Sequence, residues 1–241
     1  MFEIAYITNK GARSQNEDRI FINGKIFDNA DGYEKSDNCF LAVCDGVGGE
    51  NFGEEAAMSA CEAFVSFVNE DPSEELAYDY VVKANECIRE LQSIDSSHKS
   101  ASSTVAALCI KDNRLLVFNL GDSEVIQFRM GMMITLSEKH TLINEINCFG
   151  GETDNINPHV ITKFLGRDCF VPYVFMDKEY GQLDDIFLLF SDGIGDAVSK
   201  REMKEILRTG NALSDIAEKI CSIAVKNGTT DNLSLIIVRR L

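Results

Sequence analysis

Runs of apolar and β-branched residues, each four to seven long and bounded by turn residues, recur along this chain and restrict it to a fold of short strands. They fall at Phe2 to Thr8, Arg19 to Asn23, Cys39 to Cys44, Thr104 to Ile110, Leu115 to Asn119, Val125 to Phe128, Val171 to Met176, Ile186 to Phe190 and Leu233 to Arg239. Several follow one another through very short turns, KDNR (Lys111 to Arg114) and GDSE (Gly121 to Glu124) among them. Such turns predict antiparallel pairing and exclude a doubly wound parallel sheet.

Helical periodicity appears in two pairs. The first spans Phe52 to Val68, with a stripe of Ala56, Ala57, Ala60, Ala63, Phe64 and Phe67, and Ser73 to Leu91, where Pro72 and Ser73 mark the start. The second spans Ser199 to Leu207, opened by Ser199 and Glu202 as a capping box, and Asn211 to Val225. Two helical pairs around a largely antiparallel set of strands predict a layered α+β sandwich. No composition break, linker or repeat divides the 241 residues, so one domain over 1–241 is expected. The segment from about His140 to Lys163 follows neither period and reads as an exposed, function-bearing loop.

Composition narrows the function. Lys and Arg number 23 against 39 Asp and Glu, so 23 − 39 gives −16, and no basic cluster offsets it. That disfavours nucleic acid and anionic membranes as partners. The eight cysteines include no CxxC, and Cys44 and Cys109 sit inside apolar runs, which reads as reduced thiols in a cytoplasmic protein. The first residues lack a basic leader and the apolar runs are too short to span a bilayer.

Four apolar runs carry an aspartate at one end: Asp45 in FLAVCDGVGG, Asp122 in NLGDS, Asp192 in LLFSDG and Asp231 in TTDNLS. Singly, each is an ordinary turn residue. Together, carboxylates gathered at a sheet rim repel one another and call for hard cations such as Mg²⁺ or Mn²⁺. His98, His140 and His159 are isolated, which argues against zinc. Gly46, Gly48 and Gly49 after Asp45 allow close backbone approach. Near the start, GARSQNED sets Arg13 close to Glu17 and Asp18, and Arg13 is a fork able to hold an oxyanion. The Asp184-Asp185 pair reads as a solvated turn, and Tyr173 and Phe175 as packing.

The ordered series Gly11, Arg13, Asn16, Glu17, Asp18, then VCDGVGG, SSTVAAL, NLGDS, ITKFLG, LLFSDGIGD and GTTDNLS resembles the metal-dependent type 2C protein Ser/Thr phosphatases in their compact bacterial form. The resemblance covers essentially the whole chain. It implies an α-β-β-α sandwich of two antiparallel sheets, each flanked by a helical pair. It also implies hydrolysis of phosphoserine and phosphothreonine by a water activated between two Mg²⁺ or Mn²⁺ ions, without a phosphoenzyme. Asp45 would bridge the ions, with Asp192 and Asp231 completing one. Glu17 and the Gly46 carbonyl would serve the other, Asp18 would act at one remove, and Arg13 would hold the phosphate. Asp122 would bind a third ion, sharing Asp192, and residues of about 140–161 would form a flap. The implied partners are phosphorylated proteins, substrates of a Ser/Thr kinase, met by a monomer.

The chain departs from the family pattern at Val47, where some relatives carry a histidine, and at Ser102, Glu124 and Lys139, where Gly, Arg and Asp are usual. Two other readings compete: a catalytically silent phosphoprotein-binding regulator on the same fold, and a phosphatase of small molecules.

Overall fold

The computed structural model describes residues 1–47, 52–168, 171–178, 180, 183–210 and 212–241. Among them, strands numbered in chain order form two six-stranded antiparallel sheets. One sheet has the order β11 (Met132–Thr135), β10 (Glu124–Arg129), β13 (Ile186–Phe190), β14 (Leu233–Arg240), β1 (Phe2–Asn9), β4 (Ala30–Ser36). The other runs β12 (Tyr173–Asp177), β9 (Arg114–Leu120), β8 (Val105–Lys111), β5 (Cys39–Cys44), β2 (Arg19–Ile22), β3 (Lys25–Phe27). A two-stranded ribbon pairs β6 (Gly46–Val47) with β7 (Ser102–Ser103).

The inner strands are buried on both faces, and their period of two deals alternate residues to different layers. In β5, Phe40, Ala42 and Cys44 face the helices α1 (Gly53–Val65) and α2 (Glu74–Gln92), whereas Cys39, Leu41 and Val43 face the opposite sheet. In β14, Leu233, Leu235 and Ile237 pack on α5 (Lys200–Leu207) and α6 (Leu213–Lys226), while Ile236 and Val238 enter the space between the sheets. Three apolar clusters therefore fill three interfaces, and the result is the expected four-layer α-β-β-α sandwich. The Ala/Phe stripe of α1 is core: Ala56, Ala57, Ala60 and Phe64 are fully buried.

Local signals act as expected at several ends. Asp112 and Asn113 take φ of 47° and 60°, the left-handed pair that a two-residue β8–β9 hairpin needs. The Ser73 side chain accepts the Leu76 N–H at 3.1 Å to cap α2, and Ser199 with Glu202 forms a complete capping box on α5. Asn211, the expected start of α6, and Cys169 lie outside the described residues, as do Gly48 and Gly49; the other seven cysteines are free thiols.

Three expectations are corrected. The GDS turn does not join neighbouring strands: β9 and β10 belong to different sheets, and the chain crosses between them at Gly121, whose φ is 115°. A short turn fixes only the distance between strand ends, not that the strands pair. The segment expected as loop contains α3 (Leu142–Cys148), capped by Thr141, and its base is closed by a bridge between Thr141 and Ile161. Asp185 is not solvated but buried, accepting from Arg129 Nε at 2.9 Å, Gln127 Nε2 at 2.8 Å and the Tyr180 hydroxyl at 3.1 Å.

Candidate active site

Strand ends from both sheets converge at one rim. Asp45 follows β5 and Asp122 follows β9 in one sheet; in the other, Asp192 follows β13 and Asp231 stands just before β14. Glu17 and Asp18 precede β2. A cleft of about 700 Å³ is lined by Arg13, Glu17, Asp45, Gly46, Asp192 and Asp231, with His159 and Ile161 from beyond α3 on its wall. Asp18 and Asp122 are buried beside it, 1% and 5% exposed.

Each acid is held through its backbone or by a short polar side chain. The Asp45 N–H donates to Thr104 Oγ1 at 3.1 Å, and the Asp45 carbonyl accepts from the Thr104 N–H at 2.8 Å and Ser103 Oγ at 3.1 Å. This clamp is the task of the SSTV stretch. Gly46 is obligatory there, because a Cβ would lie 2.3 Å from the backbone of Gly53 at the start of α1. Ser191 Oγ donates to Asp18 Oδ2 at 2.8 Å. Asn232 ties the amino-terminal loop to the mouth of β14: it accepts the Glu17 N–H at 2.9 Å and donates to the carbonyls of Lys10 and Gln15, each at 2.9 Å.

The carboxylates are electrostatically uncomfortable. Burial, then the charges of Asp18, Asp192 and Asp122, pushes Asp45 well above the usual carboxylate range. Asp192 is pushed up to about 7 by burial and by Asp122 and Asp231. Asp18 rises to about 6 through burial, against the Ser234 and Ser191 hydroxyls that favour its charged form. Glu17 is raised by burial and by Glu54.

Buried Asp18 Oδ1, Asp122 Oδ1 and Glu54 Oε2 have no hydrogen-bond partner among the described residues. Unpartnered buried carboxylate oxygens facing other carboxylates are the donor set that hard divalent cations take, so the residues present fit Mg²⁺ or Mn²⁺. Opposite them, Arg13 Nη2 donates to Asp231 Oδ2 at 2.8 Å, with its side chain 54% exposed at the cleft mouth.

Two site residues escaped the sequence reading. Glu54 lies in the first turn of a helix, where acids are ordinary. His159, expected to be isolated, stands with Asp192 and Asp196, their ligand atoms within 4.8 Å of one another. No local pattern marked it, because the segment around α3 carries it there. His140 is a satisfied core residue as expected: its Nδ1 accepts the Gly121 N–H at 3.1 Å, and burial lowers its pKa to about 4, keeping it neutral.

The family description "Protein phosphatase 2C" matches residues 23–235, most of the chain. The chain belongs to the protein phosphatase 2C family. It is 26% identical to the serine/threonine phosphatase Stp of Listeria innocua over 95% of this chain and 91% of that protein. It is 25% identical to protein phosphatase PhpP of Streptococcus pneumoniae over 98% of this chain and 96% of that protein. The crystal structure of the Mycobacterium tuberculosis phosphatase PstP superposes with a TM-score of 0.84 at 22% identity, covering 100% of this chain and 99% of that one. The four-layer sandwich is thus the fold of bacterial 2C phosphatases.

Proposed function

We propose that this 2C family member is a protein phosphatase that hydrolyses phosphoserine and phosphothreonine with the aid of Mn²⁺ or Mg²⁺. The observation that carries the reading is the cluster of Asp18, Asp45, Asp122, Asp192 and Asp231, with buried oxygens unpartnered, beside an exposed Arg13 on an open cleft. The relatives named serine/threonine phosphatase support the substrate class, and the catalytic domain of PstP has been solved with two manganese ions, at 23% identity.

Asp45 would hold both ions, Asp192 and Asp231 one of them, and Glu17 with the Gly46 carbonyl the other. Divalent ions bound there supply a water acidic enough to attack phosphorus and positive charge for the phosphoryl oxygens. Arg13, which now donates to Asp231 at the cleft mouth, would receive two phosphoryl oxygens in its fork. Asp18, held by Ser191, keeps its acceptor oxygen aimed into the rim and orients what binds there. Asn232 and the Thr104 clamp fix the backbone, so the acids need not reorganise as charge develops.

The intact acid set favours this enzyme over a silent phosphoprotein-binding regulator. Three apolar interfaces that share strands support one catalytic domain over residues 1–241. With the relatives named serine/threonine phosphatase, the matching partner reading is a monomer acting on phosphoproteins made by a Ser/Thr kinase. Among the described residues no helix is long and apolar enough to cross a membrane, which is compatible with work in the cytoplasm. The test is hydrolysis of a phosphothreonine peptide with Mn²⁺, with EDTA, and by Asp192→Ala. Metal-dependent turnover lost in the variant is expected; no turnover by folded, Mn²⁺-loaded protein would move the assignment to the regulator.

A further inference from the structure

One corner of the acidic rim already contains a cation belonging to the chain. Lys139 Nζ lies 3.2 Å from Glu124 Oε1 and 3.4 Å from Asp196 Oδ1, with its side chain only 26% exposed. Glu124 does not depend on it, because Lys200 Nζ reaches Glu124 Oε2 at 3.1 Å. Lys139 is therefore shared between a carboxylate that already has a partner and the corner formed by Asp122, Asp192 and Asp196. Burial pulls its pKa down, but Glu124, Asp196 and Asp122 outweigh burial and raise it, which holds it charged. In return its charge is the largest influence opposing burial on Asp122.

This arrangement explains two departures at once. Glu124 and Lys139 stand where an arginine and an aspartate are usual, and they face each other as an ion pair. In this chain the acid of the pair stands at 124 and the base at 139, which delivers the positive end to Asp196 at the rim.

The same corner otherwise has what a divalent ion would want: His159, Asp192 and Asp196 ligand atoms within 4.8 Å of one another, next to the unpartnered Asp122 Oδ1. An ammonium held at that corner repels any ion entering it, in proportion to the product of the charges. It also satisfies part of the negative charge that would draw such an ion.

We propose that Lys139 acts as a tethered cation for the Asp122, Asp192 and Asp196 corner and takes the place of a third divalent ion there. The protein then works with two ions, and the third ion expected at Asp122 is replaced by a side chain. This rests on the reading of the rim as a divalent-metal site. Lys139 is a positioning residue in this scheme, touching the acids and not the substrate.

The experiment is a count of bound Mn²⁺ on the full chain by calorimetry and by equilibrium dialysis. Wild type and Lys139→Arg should saturate at about two ions per chain. Lys139→Gln, with Glu124 still paired to Lys200, should gain one weaker ion, and adding Asp122→Asn should remove it again. Lys139→Met, which keeps the bulk of the stem and removes the charge, guards against a folding defect while leaving Glu124 on Lys200; it should gain the extra ion as well. A third ion on wild type that Asp122→Asn abolishes would overturn the inference, as would folded Lys139 variants that stay at two. Wild type that binds no Mn²⁺ would instead overturn the metal reading itself, and this inference with it.

Discussion

Arg13 Nη2 and Asp231 Oδ2, 218 residues apart in sequence, meet at 2.8 Å across the mouth of the cleft. The arginine is thereby parked against one of the acids that would hold a metal, and its pKa is raised first by that hydrogen bond and then by the Asp231 charge. A phosphate must compete with Asp231 for the guanidinium, and a cation on Asp231 loosens that grip.

Arg13→Ala should lower kcat/KM on a phosphothreonine peptide by about 10- to 100-fold, the loss of a bidentate phosphate contact. Arg13→Lys should recover only part of it, since the charge returns without the fork. Because the side chain is 54% exposed, neither variant should shift the melting temperature appreciably, and a thermal scan beside the kinetics checks this.

The pH dependence of the metal-free protein follows from the raised carboxylates. Asp192 titrates near about 7 and Asp18 near about 6 when folded, against roughly 4 for an unfolded chain. Between those values the native state binds more protons than the unfolded one, so stability falls as pH rises through that window. In EDTA, melting should be higher at pH 5 than at pH 8, and Asp192→Asn should flatten the slope and raise the pH 8 melting point. Saturating Mn²⁺ should remove the slope by neutralising the same acids. A metal-free protein that grows steadily more stable from pH 5 to pH 8 would contradict the prediction.

Thr104→Val removes the acceptor of the Asp45 N–H and the partner of Ser123 Oγ at 2.9 Å while keeping the shape. The expected cost is about 1–3 kcal/mol of stability, from a buried donor left unpaired. Mn²⁺ affinity should fall with it, because the Asp45 backbone loses one of its ties. Urea unfolding and Mn²⁺ titration read the two effects separately.

Ser73→Ala removes the side-chain cap of α2, a helix that contributes no residue to the lining of the cleft. A loss of about 1 kcal/mol, or roughly 2–4 °C in melting, is expected with kcat/KM unchanged. It serves as the control for stability effects that do not reach the site.

The parts of the fold that were legible in the sequence are those governed by local rules. The helix caps, the KDNR hairpin and the four aspartates at strand ends all depend on neighbours a few residues away. The edge strands β4 and β11 were not legible: ADGYEKS lies at a sheet margin and carries no apolar run, and MMIT is apolar but only four residues long, with mostly exposed side chains. Sheet membership was not legible either: β9 and β10 are buried almost throughout, and a strand buried on both faces does not reveal its partner. In the site, Asp45, Asp122, Asp192 and Asp231 were readable from their strands, whereas His159 and Glu54 were placed by tertiary packing alone.

Strand β14 lies between β13 and β1 in its sheet and is preceded directly by Asp231. The middle of that sheet and one acid of the rim therefore come from one short stretch of chain. Without β14 that sheet has a gap beside β1, and the ring of acids is incomplete. Closure of the sheet and completion of the ring of acids are therefore one event, the docking of β14 between β13 and β1.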